Sequence, residues 1–120
     1  MKVLLGFGGS EGSAEALERT VERAVAAGDE LTVGLVETEG ATHAELAARV
    51  EALVEEIDLP VELRELDGDA GSELLSLAES EGFDELVLAG NTTSPMGKIT
   101  LNQTAEFILL NSHVTVTLVR

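Results

Sequence analysis

Short apolar runs alternate with segments of helical period along the whole chain, and this alternation limits the possible folds more than any other feature. Val3 to Phe7, Leu31 to Glu37, Val61 to Leu66, Glu85 to Ala89 and Val114 to Val119 read as five strands. Between them lie four segments with apolar residues at helical spacing. The first runs from Ser13, a candidate N-cap, to about Ala27, with Leu17, Val21, Ala24 and Val25 on one face and Gly28 as its stop. The second opens at the capping box Thr42-His43-Ala44-Glu45 and presents Leu46, Val50, Leu53, Val54 and Ile57. The third covers about Ser72 to Ser80, with Leu74, Leu75 and Ala78 inward, and the fourth covers Leu101 to Asn111. Strand-helix alternation with short turns implies right-handed crossovers and a parallel sheet covered on both faces. The expectation is one α/β domain over residues 1–120, a doubly wound open sheet of five parallel strands with four helices. Ligands in such folds bind beyond the carboxyl ends of the strands, at the topological switch point. That points to Gly8 to Gly12, the end of strand two near Glu37, and Gly90 to Thr104.

Composition removes several function classes. There is no cysteine, which excludes disulfides, a thiol nucleophile and thiolate metal sites. No apolar run approaches the ~20 residues of a membrane span, and the start of the chain lacks the pattern of a signal peptide. A cytoplasmic location is the default. Asp and Glu number 23 against 7 Lys and Arg, a formal net charge of −16. Such a surface repels nucleic acid and anionic lipid, so neither is expected as a partner. One reading of the charge is an acidic patch for a basic partner. The other is adaptation to molar salt, where the Debye length shrinks to a few ångström. Acid spread over the whole chain, with Lys2 and Lys98 the only lysines, fits salt adaptation better.

The glycine-rich loops match known phosphate cradles only in part. Gly6-Phe7-Gly8-Gly9-Ser10-Glu11 fails the dinucleotide pattern G-x-G-x-x-G, because Glu11 stands where the third glycine belongs. These glycines make a tight strand-to-helix turn or approach a smaller ligand such as a mononucleotide. Gly97-Lys98 fails the Walker A pattern, since Thr92 and Ile99 replace the required glycine and hydroxyl. The loop from Gly90 to Thr104 is long for a strand-to-helix connection. It carries Asn91, Thr92, Thr93, Ser94, Lys98 and Thr100 and feeds a helix N-terminus, where free amides favour an anion. It reads equally as a polar surface loop.

Taken together, these segments resemble the universal stress protein family over nearly the whole chain. Val3-Leu4-Leu5 followed by Gly9-Ser10-Glu11 is similar to the family's opening strand and turn. Gly68-Asp69-Ala70 with Leu74, Leu75 and Ala78 is similar to its third strand exit and helix. Phe83 to Gly90 resembles its fourth strand, and Asn111 to Arg120 its closing strand. The resemblance implies the adenine nucleotide alpha hydrolase-like fold. ATP-binding members carry G-x2-G-x9-G-[ST] after strand four. On that spacing Gly90 keeps the first glycine and Thr104 the hydroxyl, while Thr93 and Gln103 replace the other glycines. Gly8 stands where such members use an acid. The resemblance therefore implies a salt-adapted member with a degenerate ATP motif. No cofactor is expected, and ATP or AMP is the candidate if a nucleotide binds. Gly8, Gly9 and Val36 would then lie near ribose and base, and Gly90, Thr93, Lys98, Gln103 and Thr104 near phosphates.

The last strand is β-branched and uncharged, a hazard if its edge is open. The resemblance implies a homodimer that pairs Val114 to Val119 with its symmetry mate, and a further protein partner is the alternative readout of a stress-response module. No enzymatic activity is assigned, and no residue is read as catalytic. His43, at the first position of its helix, is expected on the surface and His113 in a turn. Neither is read as a general base or metal ligand.

Overall fold

The computed structural model describes residues 1–9, 11–38, 40–89 and 103–119. The elements are β1 (Lys2–Phe7), α1 (Glu11–Ala27), β2 (Glu30–Val36), α2 (His43–Val54), β3 (Val61–Leu66), α3 (Ala70–Ser80), β4 (Glu85–Ala89), α4 (Gln103–Asn111) and β5 (Thr115–Val119). All five strands are parallel in one sheet, in the order β3-β2-β1-β4-β5. The expected doubly wound α/β fold is what forms. The order reverses between β1 and β4, which makes the carboxyl end of β1 the switch point.

Strand alternation sorts the core into two layers. Val3, Leu5 and Phe7 of β1 join Leu31, Val33 and Leu35 of β2 beneath α1 and α2, through Ala16, Leu17, Val21, Leu46 and Val50. Leu4, Leu86 and Leu88 face the other way and pack on Leu74, Leu77 and Ala78 of α3 and on Ala105 and Ile108 of α4. On this second face two glycines, Gly6 and Gly34, sit side by side in register. They leave a hollow that Leu74 fills. A Cβ on Gly6 would lie 2.8 Å from Leu74 Cδ1, and one on Gly34 would lie 3.0 Å from Leu74 Cδ2 and 2.9 Å from Leu66 Cδ1. The absent side chains thus let α3 settle against the middle of the sheet.

A carboxylate is buried at the start of β4. Glu85 is 4% exposed. It accepts from Arg23 Nη2 at 2.8 Å and from the Thr117 hydroxyl, so its charge is paired and hydrogen-bonded.

Boundaries differ from the sequence expectation in small, physical ways. Helix α1 starts at Glu11, so Ser13 is not its N-cap. Its hydroxyl instead accepts from Gly8 N at 3.4 Å, which ties the first turn of α1 to the end of β1. Val25 is 52% exposed, because the end of α1 overhangs a groove bordered by Asp58, Leu59 and Pro60 and is not covered there. The capping box forms as expected: Thr42 accepts from Glu45 N, and Glu45 reaches back to Thr42 N. Asp69 caps α3 by accepting from Ser72 N, so that helix begins at Ala70.

The hollow makes a quantitative prediction. Gly34→Val should cost about 1–3 kcal/mol by overpacking, and Leu74→Ala about 2–5 kcal/mol by cavity formation. In the double variant the two costs should partly cancel, since each relieves the other. Urea denaturation of the three variants measures this, and strict additivity would contradict the packing described.

Candidate functional site

The carboxyl ends of β1 and β2 meet at one edge of the sheet, and β4 ends beside β1 at Ala89. Gly8 and Gly9 continue β1 over this edge. Among the described residues, a Cβ on Gly8 would meet Thr38 Cγ2 at 3.7 Å and the Val36 carbonyl at 3.9 Å, both ordinary contacts. Gly9 has φ +83°, a left-handed conformation that suits glycine. Its far side is closed by Leu46 and Arg49 of α2. Arg49 Nη1 donates to the Gly9 carbonyl, and its guanidinium lies 5.8 Å from the centroid of the buried Phe7 ring. One arginine therefore fastens α2 to the turn after β1.

The end of β2 is built differently. Val36 is half-buried and packs toward the α3–α4 layer. Glu37 is exposed, and its Oε2 accepts from His43 N at 2.8 Å, satisfying a free amide at the start of α2. Thr38 and Ala41 exchange backbone hydrogen bonds of 3.2 Å, which close the turn before the helix.

His43 is not a surface residue as the sequence suggested. Its side chain is 13% exposed, because the first turn of α2 lays the ring against the end of β3. Nε2 lies 2.9 Å from the Leu66 carbonyl, and Nδ1 lies 3.7 Å from both Glu37 Oε2 and Glu65 Oε1. The hydrogen bond to Leu66 holds the His43 pKa above 6.5, and the charges of Glu37, Glu65 and Asp67 add to this against partial desolvation. The sequence signal was present but ambiguous. A histidine at the first helical position touches whichever strand end the helix covers, and only the fold decides which.

The residues proposed from sequence divide into three sets. Gly8 and Val36 are neighbours at the β1–β2 edge, and Gly9 follows them against α2. Gln103 and Thr104 lie in the first turn of α4, with Gln103 exposed and Thr104 half-buried. Gly90, Thr93 and Lys98 lie outside the described residues. Arg49 was not singled out from sequence, although its position three residues after the inward Leu46 places it near the same helix face.

This architecture has known counterparts. The Universal stress protein family matches residues 34–120. The chain belongs to that family. A solved universal stress protein in complex with cAMP superposes with a TM-score of 0.81 at 20% identity, with 100% of this chain and 96% of that chain covered. A universal stress protein from Archaeoglobus fulgidus in complex with dAMP gives 0.76 at 13% identity, covering 100% and 98%. A family protein from Arabidopsis thaliana with AMP bound gives 0.75 at 15% identity, covering 99% and 90%. At these identities the likeness establishes the shared fold. No curated protein matches the sequence. Among the described residues, no helix is long and apolar enough to cross a membrane.

The histidine geometry predicts a pH dependence. A pKa raised in the folded state adds stability that is fully present below about pH 6.5 and is lost as pH rises through the folded value. In chelated buffer, the His43 ring resonances should titrate above 6.5. Wild type should lose stability relative to His43→Gln as pH rises from about 6.5 through the folded-state pKa. Parallel stability curves for the two proteins would contradict this.

Proposed function

We propose that the chain is a stress-response binding module of the universal stress protein family, homodimeric, which does not bind ATP in the family's usual way. The observation that carries this reading is the end of β1. Gly8 occupies the position of the resembled members' acid, and among the described residues a side chain there would meet the Thr38 methyl and the Val36 carbonyl at van der Waals range and no polar side chain. The neighbouring cation, Arg49, is committed to the Gly9 carbonyl. Glu37, Glu65 and Asp67 stand at the adjoining strand ends and disfavour a polyphosphate at this edge. On the spacing of the resembled motif, Thr93 and Gln103 replace glycines whose amides would approach phosphates.

A homodimer through Val114 to Val119 is supported by exposure on that side. β5 is an edge strand with no fully buried residue, whereas four of the five residues of β4 are buried. On α4, Phe107, Leu109 and Leu110 are 38%, 42% and 85% exposed. Apolar surface of this kind marks an interaction face. The composition supports a surface adapted to molar salt, and the proposed site of action is the cytoplasm.

The second reading is an adenine nucleotide site with weak occupancy and slow hydrolysis. It is favoured by the complexes with cAMP, dAMP and AMP among structures of this fold. Calorimetry with ATP and AMP in molar KCl separates the two. The first reading predicts no tight ATP binding by wild type and a gain of at least tenfold in Thr93→Gly plus Gln103→Gly. The second predicts saturable binding by wild type that Thr104→Ala and Lys98→Ala weaken. No gain in the glycine double variant would contradict the steric account.

A further inference from the structure

We propose that His43, Glu37 and Asp67 form a site for one divalent transition-metal cation, of the zinc or cobalt class, at the carboxyl ends of β2 and β3. Ligand atoms of these three side chains lie within 4.8 Å of one another. Carboxylates alone are common on so acidic a surface and would carry no such assignment. The histidine distinguishes this cluster. Its side chain is 13% exposed, and Nε2 is anchored on the Leu66 carbonyl.

The carbonyl of Leu66 accepts only, so the 2.9 Å contact requires a proton on Nε2. In the neutral ring Nδ1 is then a bare lone pair. Among the described residues Nδ1 makes no hydrogen bond, and the groups that face it are the carboxylates of Glu37 and Glu65 at 3.7 Å. Carboxylates are acceptors too. Among the described residues the donor at this point is the His43 backbone N–H on Glu37 Oε2, so the Nδ1 lone pair of the neutral ring and the carboxylates facing it still call for a proton on Nδ1 or a bound cation. A backbone carbonyl that holds the distal nitrogen of a histidine is also how metal-ligating histidines are commonly oriented.

The distances suit a small cation. Zinc binds imidazole nitrogen and carboxylate oxygen at about 2.0–2.2 Å, which places tetrahedral ligand atoms about 3.3 Å apart. The 3.7 Å from Nδ1 to Glu37 Oε2 is near that spacing already. Glu37 and Asp67 are exposed, so small rotations of their side chains close the remainder without disturbing the core. One nitrogen and two carboxylates leave a fourth position open to solvent. The cation would join the end of β2 and the first turn of α2 to the end of β3, which lies more than twenty residues further along the chain. Binding should therefore stabilise the fold.

The test uses the full chain, stripped with chelator, at neutral pH in 0.5 M KCl and without nucleotide. Calorimetry with zinc chloride should give one site per chain, and cobalt chloride should develop a visible band of tetrahedral intensity. The thermal midpoint should rise by roughly 10 °C at about 100-fold excess over Kd. Asp67→Asn and Glu37→Gln should each weaken binding at least tenfold, and His43→Gln should abolish the cobalt band. Glu65→Gln, which leaves the three ligands intact, should change affinity less than threefold. If His43→Gln destabilises the fold, the Asp67 and Glu65 variants still decide the matter. No binding, several weak salt-labile sites per chain, or equal losses in the Asp67 and Glu65 variants would overturn the assignment.

Discussion

A parallel sheet delivers every strand's carboxyl end to the same edge, and the rest of this molecule depends on how that edge is held. The middle strand, β1, is flanked by β2 and β4 and covered by helices on both faces. Its interior residues leave no room for polar groups, so chemistry is confined to the residues beyond Phe7. The close seating of α3 on Gly6 and Gly34 fixes one layer. Arg49 on the Gly9 carbonyl fixes the other, by tying α2 to the turn after β1. The position of the edge is thus set by packing on one face and by a charged hydrogen bond on the other.

Charge is unevenly used across the fold. Glu85 is the buried carboxylate of the central sheet, and it is tolerated because Arg23 and Thr117 supply donors. At the opposite end of the strands, Glu37, Glu65 and Asp67 gather around His43, whose Nδ1 faces Glu37 and Glu65. The two ends therefore differ in kind. The amino end of the sheet has its charge neutralised, and the carboxyl end holds an acidic corner beside the glycine turn. A polyphosphate entering over Gly8 would meet that corner, whereas a cation would be drawn to it.

Much of the fold was legible because local and global signals agree. β3 and β4 have the bounds that alternation suggested, and the Thr42 capping box marks the start of α2. Gly28 ends α1 with φ +74°. The misreadings share a cause. Ser13 looked like a cap because serine caps helices, yet its hydroxyl bonds Gly8 N across the turn. Val25 fits the helical stripe but lies where α1 overhangs the sheet. His43 looked exposed because the first residue of a helix usually is. At the carboxyl edge, the meeting of Gly8 and Gly9 with the end of β2 was legible, since topology dictates which strand ends are neighbours. Arg49, and the pairing of His43 with Leu66, join residues separated by 40 and 23 positions, and no local pattern encodes them.

The central proposal is that this carboxyl edge has the family's shape without its usual ATP chemistry. The most direct measurement is the amide spectrum of isotopically labelled chain in molar KCl, titrated with magnesium ATP. The account predicts no saturable shifts at Gly8, Gly9, Val36 and Thr104 up to millimolar ligand. Saturable shifts at those four amides at micromolar ATP would contradict it.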